Sequence, residues 1–249
     1  MSDSAGVPWE GRHFEPNPAA DDDGSAPEPL MAAIRRFRAG EGGEAEVVDA
    51  VRESRLLVAL VAELGDTGVS PLGHTVDKSQ ELSIVTVAGP DGRNVLPAFS
   101  SVTAMSAWNP KARPVPAAGT RVALAAASES TELVVLDPTS DTEFAIRRPA
   151  LWAIAQSEPW IPSYLDPEVL RAFMDAAAPE PTVLAVTLAP GDPAARLAGP
   201  ELVVRLALTE GLDRASLDAV IARMQGRWAA SEIIATRVDS LRVQLLSAV

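Results

Sequence analysis

Apolar residues at helical spacing predict the first two helices of the chain. The stripe over residues 30–37 falls at i, i+4 and i+7 and stops at Gly40, a residue type that commonly ends helices. A second helix is predicted over 44–55. The following run, 56–64, is apolar without alternation, which is typical of a strand buried on both faces.

A tight turn between two apolar runs predicts a β-hairpin. The turn spans residues 89–92 (GPDG), whose proline supplies the φ of a central turn position and whose last glycine accepts a left-handed backbone. Apolar runs at 82–88 and 95–99 flank the turn. Pro97 has no N–H to donate, so we expect the second strand to be an edge strand or to carry a bulge there.

Ser100 and Ser101 can cap a helix directly after the hairpin, because their hydroxyl oxygens accept from amides of the first turn. Apolar residues at 102, 105 and 108 form one face of that helix, and Pro110 ends it. Residues 120–128 fit either a helix or a strand, and their alanines favour a helix. The further elements predicted before residue 165 are strands at 133–136 and 144–146 and a helix that starts at Pro149.

The C-terminal third shows the clearest pattern. Asp166 is placed to cap a helix that has proline at its first position. The predicted order after it is strand, strand, helix, strand, strand, over 182–188, 202–208, 213–228, 232–238 and 241–246. In the last strand apolar and polar residues alternate, so we expect a mostly antiparallel sheet with the helix on its apolar face.

These elements predict an α+β fold in two domains, since 249 residues are many for a single core. Residues 1–29, with the run Asp21-Asp22-Asp23, are expected to form an extended, partly disordered arm. Residues 30–165 are predicted to form a mixed α/β domain with a β-hairpin. Residues 166–249 are predicted to form a smaller β-β-α-β-β domain.

Composition narrows the classes of function. The formal net charge of −13 argues against non-specific binding to nucleic acid or to anionic lipid, because both require a basic surface. The chain has no cysteine, which excludes disulfides, thiolate metal sites and a cysteine nucleophile. No secretory signal is recognisable at the N-terminus, and no apolar run approaches the roughly 20 residues of a membrane span. We therefore expect a cytoplasmic protein that binds neither nucleic acid nor membrane.

Motifs that carry chemistry are missing from the sequence. There is no nucleophile elbow, P-loop, dinucleotide fingerprint or paired-histidine zinc motif. The two histidines, His13 and His74, lie in separate predicted loops and are better explained as surface or capping residues. We expect no catalytic residue, no metal and no cofactor, with a hydrolase that uses the loop 74–79 as the remaining enzymatic alternative. Trp108, Trp152 and Trp160 are expected to lie in the core.

One long window stands out by its charge. No carboxylate occurs between Asp91 and Glu129, although the chain as a whole is acidic. Arginine guanidinium groups and a serine-capped helix start are groups that bind phosphates and carboxylates. The candidate ligand- or partner-binding residues are Arg93, Ser100, Ser101, Lys111, Arg113 and Arg121. The alternative explanation is that these cations pair with carboxylates of the same chain.

Several short motifs in the chain are distinctive. They are Trp9-Glu10-Gly11-Arg12-His13-Phe14, Leu96-Pro97-Ala98-Phe99-Ser100-Ser101, Trp108-Asn109-Pro110, Ala112-Arg113-Pro114-Val115-Pro116 and Arg147-Arg148-Pro149-Ala150-Leu151. With these motifs the chain resembles the SseB family, most of all its actinobacterial branch. The resemblance covers about residues 45–165, and residues 180–249 are similar to the family's C-terminal domain. It implies an α+β, cytoplasmic, non-enzymatic protein and transfers no catalytic residue.

The function expected from residues and resemblance together is a binding or regulatory module that engages a protein partner, with a link to amino-acid (serine) metabolism. An anion or small-metabolite binder that uses the basic window 93–121 is the first alternative, and the undetected hydrolase is the second. The sequence leaves the partner, the oligomeric state and a cleft between the two domains open.

Overall fold

A computed structural model describes residues 22–63, 81–128 and 131–247. The elements of its first part are α1 (Glu28–Ala39), α2 (Glu44–Glu53), β1 (Arg55–Glu63), β2 (Glu81–Ile84), β3 (Val87–Ala88), β4 (Asn94–Phe99), α3 (Val102–Trp108), β5 (Arg113–Ala118), α4 (Gly119–Ser128), β6 (Leu133–Leu136), β7 (Phe144–Arg147) and α5 (Arg148–Gln156). The predicted helices are confirmed, with α1 ending at Gly40 and Ser101 capping α3. Of the strands, the predicted run 82–88 is divided into β2, which pairs with β1, and β3, and β5 was not predicted.

Within the described residues, β1–β7 form one seven-stranded sheet. Its main path runs β2-β1-β4-β6-β7, while β3 pairs with β4 and β5 pairs with β1. The predicted hairpin is confirmed as a short one, in which Val87 lies opposite Val95 and Gly92 N donates to Gly89 O at 3.0 Å. Only β4 and β6 run parallel to each other, and the remaining ladders of this sheet are antiparallel.

Pro97 does not lie on an edge strand, so that expectation is wrong. β4 is a central strand, with Pro97 opposite Val135 of β6 and no register shift in either of its ladders with β1 and β6. The ladder between β1 and β4 covers only Phe99 and Ala98. The ladder stops before Pro97, which has no N–H to donate to β1. The next carbonyl of β1, that of Ala59, accepts a hydrogen bond from Val85 N instead. The missing N–H therefore breaks no ladder bond.

The larger sheet is apolar on both faces. Helices α1, α2, α4 and α5 cover one face, where Leu30, Val48 and Ile154 pack against strand residues such as Leu96 and Val134. On the other face, α3 packs its Met105 against a small cluster that includes Phe99. A loop from the C-terminal part adds Leu197 to a second small cluster on the sheet.

The elements of the C-terminal part are α6 (Pro167–Ala177), β8 (Val183–Pro190), β9 (Leu202–Leu208), α7 (Arg214–Ala229), α8 (Glu232–Arg237) and β10 (Leu241–Ser247). β10, β9 and β8 form a three-stranded sheet in that order among the described residues. Phe173, Met224 and Trp228 of the helices pack against Val204 and its neighbours on one face of the sheet. Met174 of α6 points away from this core and is 52% exposed.

The predicted β-β-α-β-β order of this part needs one correction. Residues 232–237 form α8 and not a strand, because Ser231 Oγ accepts from Ile234 N and caps a helical turn. The sheet is also less antiparallel than expected, since β8 pairs with β9 antiparallel but β10 pairs with β9 parallel. The α+β class itself is confirmed.

The structure bears on two further predictions, the N-terminal arm and the boundary between the two domains. Of the predicted arm, residues 1–21 lie outside the described ranges, and α1 already begins at Glu28. Ala195 and Leu197, from the predicted second domain, pack into apolar clusters of the first part. The domain boundaries stay a prediction. No helix in the described ranges is long and apolar enough to cross a membrane.

Candidate functional site

Arg93, the first residue of the basic window, lies where the two parts of the chain meet. Its Nη1 and Nη2 donate to the two carboxylate oxygens of Asp239 at 2.9 and 3.0 Å, and its Nε donates to Asp91 Oδ2 at 2.8 Å. Asp239 is buried, with 1% of its side chain exposed. Arg93 is therefore paired with carboxylates of its own chain, which was the alternative explanation of the window.

Ser100 and Ser101 have structural partners within the fold. Ser100 is buried, and its Oγ and backbone N donate to the Asp137 carboxylate at 2.7 and 2.8 Å. Ser101 Oγ accepts from Ala104 N at 3.1 Å and caps α3, as predicted. The hydroxyl of Ser100 thus faces the interior of the fold.

Lys111, Arg113 and Arg121 are exposed to solvent. Arg121 lines a cavity of about 500 Å³ with Arg52 and Arg55, between the end of α2 and the start of α4. Arg52 pairs with Asp49 at 2.7 Å and Arg55 with Asp22 at 2.6 Å. That the window forms a ligand site stays a prediction, and Arg93 and Arg121 contribute to different places in the fold.

A buried ion network joins the two parts of the chain. The nearly buried guanidinium of Arg147 donates to Asp192 at 2.7 Å, to Gly199 O at 2.8 Å and to Asp239 at 3.3 Å. Burial opposes ionisation of Asp239, but its hydrogen bonds and its attraction to Arg93, with a further contribution from Arg147, hold its pKa below the ordinary value. These buried ion pairs therefore hold the larger sheet and the C-terminal part together.

Glu44, Tyr164 and Glu201 form a second group at this junction. The Tyr164 O–H donates to Glu44 Oε1 at 3.1 Å, and Glu201 Oε2 accepts from Asp239 N at 2.6 Å. Burial raises the pKa of Glu44 to about 7 against the opposing hydrogen bond from Tyr164, and burial also raises the pKa of Glu201. The pKa of Tyr164 is raised by burial and by the neighbouring Glu44.

Trp152 is the largest apolar side chain that the described surface exposes. It projects from α5, whose neighbouring residues Leu151 and Ile154 are buried, and 41% of Trp152 is exposed. The Arg148 guanidinium lies 5.0 Å from the centre of the Trp152 ring and donates to the carbonyls of Ala235 and Val238 at 3.0 and 2.8 Å. The expectation that Trp152 is a core residue is therefore wrong.

Two cavities meet at Trp152. One, of about 530 Å³, lies between α5 and α8 and includes Trp160, Ile161 and Arg237 in its lining. The other, of about 320 Å³, extends toward α4 and is lined by apolar atoms of Ala127 and Leu151 among others. We call Trp152, Arg148 and the walls of these two cavities the Trp152 surface.

The spacing of apolar residues in α5 indicates that Trp152 points away from the core. Leu151 and Ile154 lie at i and i+3 on one face of α5, so Trp152 is turned about 100° away from Leu151. By contrast, Trp108 packs against Phe99 with ring centres 5.3 Å apart and the rings tilted at 45°, and Trp160 is partly buried against the core. Residue type suggested a core position for all three tryptophans, whereas spacing separates Trp152 from the rest.

In residues 22–63, 81–128 and 131–247, no group of three or more potential ligands among histidine, aspartate and glutamate is arranged to hold a metal. His13 and the proposed hydrolase loop at His74 lie outside these ranges.

Comparison with protein families identifies a family for the larger part of the fold. Residues 30–153 match the family model described as the SseB protein N-terminal domain. This range holds the whole larger sheet and most of the helices that cover it, including Trp152, and ends before the C-terminal part. Neither the curated proteins nor the solved structures contain a significant match.

Proposed function

The chain belongs to the SseB family, and we propose that it is a non-enzymatic module that binds a protein partner through the Trp152 surface. The observation that carries this proposal is an exposed tryptophan fixed between two cavities on a rigid helix. Tryptophan and arginine are the side chains most enriched among residues that dominate binding energy at protein interfaces. Both are present here, one stacked on the other.

The surface is preorganised, which favours binding. Leu151 and Ile154 anchor α5 in the core, and two carbonyls hold Arg148 over the indole ring. A side chain that is already ordered loses little conformational entropy when a partner binds. Burial of the exposed part of Trp152 then contributes mainly favourable transfer free energy.

Charge indicates the chemistry of the partner. Glu132 lines the smaller cavity and Glu158 the larger one, and both are exposed. Neither forms an ion pair within the described residues, in a chain whose net charge is −13. We therefore propose that the partner presents an apolar side chain flanked by lysine or arginine.

The positions of the titratable groups support a binding role over acid–base catalysis. Glu44 and Glu201, the two carboxyl groups with raised pKa, lie at the junction and outside the linings of both cavities at Trp152. Asp239, with lowered pKa, is held by two arginines. Burial within the fold accounts for the two raised pKa values, and the contacts with arginine account for the lowered one.

Selection from a random peptide library displayed on phage tests the proposal with a defined probe. The full chain is the bait, and Trp152→Ala and Leu184→Ala are the comparison variants, because Leu184 is a large exposed residue on β8, away from this surface. We expect selected peptides to share an apolar residue with basic neighbours. Their affinity should fall at least about tenfold with Trp152→Ala, a loss of roughly 1.4 kcal/mol, and stay unchanged with Leu184→Ala.

Peptides that bind wild type and Trp152→Ala equally well would refute the Trp152 surface as the docking site. Selection of acidic sequences would refute the proposed charge of the partner. Thermal melting of both variants checks that each remains folded.

The cavity at Arg121 supports anion binding as a second candidate function, because three guanidinium groups line it. Two of them are already paired with aspartates, which weakens the site for a further anion. A thermal-shift titration with inorganic phosphate decides the matter. Anion binding predicts a stabilisation that Arg121→Ala abolishes and that Arg171→Ala, an exposed arginine on α6, leaves intact.

A further inference from the structure

We infer that β10 is a homodimerisation strand, and that a second copy of this chain pairs with its free edge in antiparallel register around Val243. The inference concerns the C-terminal sheet and is independent of the Trp152 surface. It rests on the direction of the backbone groups, on the absence of proline, bulges and a covering loop along the described residues of β10, and on the pattern of side chains.

The backbone groups of alternate β10 residues point away from the sheet. Leu202 N donates to Ser240 O at 3.0 Å, so the polar backbone groups of Ser240, and of every second residue after it, point toward β9. The backbone N–H and C=O groups of Leu241, Val243 and Leu245 therefore point outward. No strand of the described residues pairs with them.

Of the other edge strands, β5, β7 and β8 carry protection of a kind that β10 lacks. β5 contains Pro114 and Pro116, and the ladder of β8 is irregular between Val183 and Ala185. On β7, Ala145 N donates to the carbonyl of Ala195 in a covering loop. Proline, bulges and covering loops are the usual means of preventing edge pairing.

β10 has the sequence LRVQLLS, a regular strand of seven residues without proline, glycine or carboxylate. Its register with β9 is continuous from Leu241 to Ser247. A long, regular edge without acidic residues is the kind to which a further strand adds. In a chain of net charge −13, such a strand is also a place where two copies can approach without local repulsion between carboxylates.

The side-chain pattern is complementary to itself. A two-fold axis at Val243 places Leu241 opposite Leu245 of the second copy and Arg242 opposite Gln244, so apolar residues meet on one face and polar residues on the other. This register also places the outward residues Leu241, Val243 and Leu245 of the two copies opposite one another, where their free backbone groups can form hydrogen bonds.

The rim of the apolar core next to β10 is open. Leu245 is 43% exposed and Leu246 is 39% exposed. Both line a cavity of about 440 Å³ with Leu208, Leu212 and Leu217. A second copy would continue the row of Leu241, Val243 and Leu245 across the axis and cover this rim, which a monomer leaves in water.

Sedimentation velocity of the full chain over a concentration series tests the inference. We expect a monomer–dimer equilibrium that Leu245→Lys shifts to monomer and that Leu184→Lys, the same change on the opposite edge strand, leaves intact. A monomer at every concentration, or equal dimer fractions in the two variants, would overturn it. Far-UV circular dichroism confirms that the variants are folded.

Disulfide cross-linking tests the register without relying on a disruptive variant, since the chain has no cysteine of its own. Arg242→Cys chains mixed with Gln244→Cys chains should form disulfide-linked dimers under mild oxidation, because these positions lie opposite each other in the inferred register. The control mixes Gln244→Cys with Thr187→Cys, an exposed position on β8 in the same row of the sheet. Equal cross-linking in the two mixtures, or none in either, would overturn the pairing.

Discussion

Arg93 and Asp239 are 146 residues apart in the chain and form a two-bonded ion pair, with distances of 2.9 and 3.0 Å. Arg93 lies at the turn of the β3–β4 hairpin, and Asp239 lies shortly before the start of β10. The pair therefore ties the larger sheet to the end of the C-terminal part. Because Arg147 also contacts Asp239, a single buried carboxylate receives two guanidinium groups.

Arg93→Ala should destabilise the protein by about 2 to 3 kcal/mol, because it removes the two-bonded partner of a carboxylate that is 1% exposed. A double-mutant cycle with Asp239→Ala should give a coupling energy of about 1 to 3 kcal/mol in urea unfolding. Arg214→Ala is the matched control, since Arg214 and Asp218 are an exposed pair at 3.5 Å. If Arg214→Ala were as destabilising as Arg93→Ala, the prediction that the buried Arg93–Asp239 pair contributes more to stability than an exposed pair would be wrong.

Glu44 should make stability depend on pH near neutrality. Burial, opposed by the Tyr164 hydrogen bond, raises the pKa of Glu44 from 4.5 to about 7 in the folded protein. The contribution of Glu44 to stability is therefore fully present below pH 4.5 and is lost as the pH rises through 7. Glu44→Gln removes this loss, so the variant should match the wild type below about pH 4.5 and exceed it by about 3 kcal/mol at about pH 8.

Urea unfolding of both proteins across this pH range gives the difference curve that isolates Glu44 from other carboxyl groups. Tyr164→Phe provides the directional control. Its O–H bond favours the ionised form of Glu44, so its removal should move the pH-dependent step of the wild type to higher pH. Parallel curves for Glu44→Gln and wild type between about pH 4.5 and 8 would contradict the prediction.

Local signals accounted for most of the fold. Caps and glycine stops located α1 and α3, and uninterrupted apolar runs located β1 and β6. α8 was missed because its run EIIATR is rich in β-branched residues, which favour strands. Arg148 contacts two C-terminal carbonyls of the α8 region from 87 and 90 residues away, and this stabilising contact is not encoded in the local sequence.

The candidate site was less predictable for a related reason. A count of charges located a basic window but did not show which carboxylate each arginine meets, and Arg93 meets Asp239 from the other part of the chain. Residue type placed Trp152 in the core, although its position beside Leu151 on the α5 helix turns it outward. The partner of Arg93 depends on contacts between elements that are distant in sequence, which the local sequence does not encode. The exposure of Trp152 depends on helix geometry, which the local sequence does encode.

Two glycines should respond to alanine in opposite directions. A Cβ on Gly119 would lie 2.0 Å from the carbonyl oxygen of Val51, so α4 and α2 would have to separate. We expect Gly119→Ala to cost at least about 2 kcal/mol. Gly226 lies inside α7, where an added Cβ would meet no neighbouring group within 4 Å, and Gly226→Ala should stabilise by about 0.5 to 1 kcal/mol. Thermal and urea unfolding of the two variants measures whether each substitution lowers or raises the free energy of unfolding.

Ser100 should behave as a structural residue in stability measurements. Its Oγ donates to Asp137 Oδ2 at 2.7 Å in a buried site where the same oxygen also accepts from Thr142 Oγ1 at 2.9 Å. Ser100→Ala removes one of the two donors to this buried oxygen and should cost about 1 to 3 kcal/mol. Ser106→Ala, the same change on the exposed face of α3, should be neutral or slightly stabilising because alanine favours helix. Equal unfolding midpoints for Ser100→Ala and wild type would show that the contact with Asp137 contributes nothing, and would return the Ser100 hydroxyl to the set of groups free to bind a ligand.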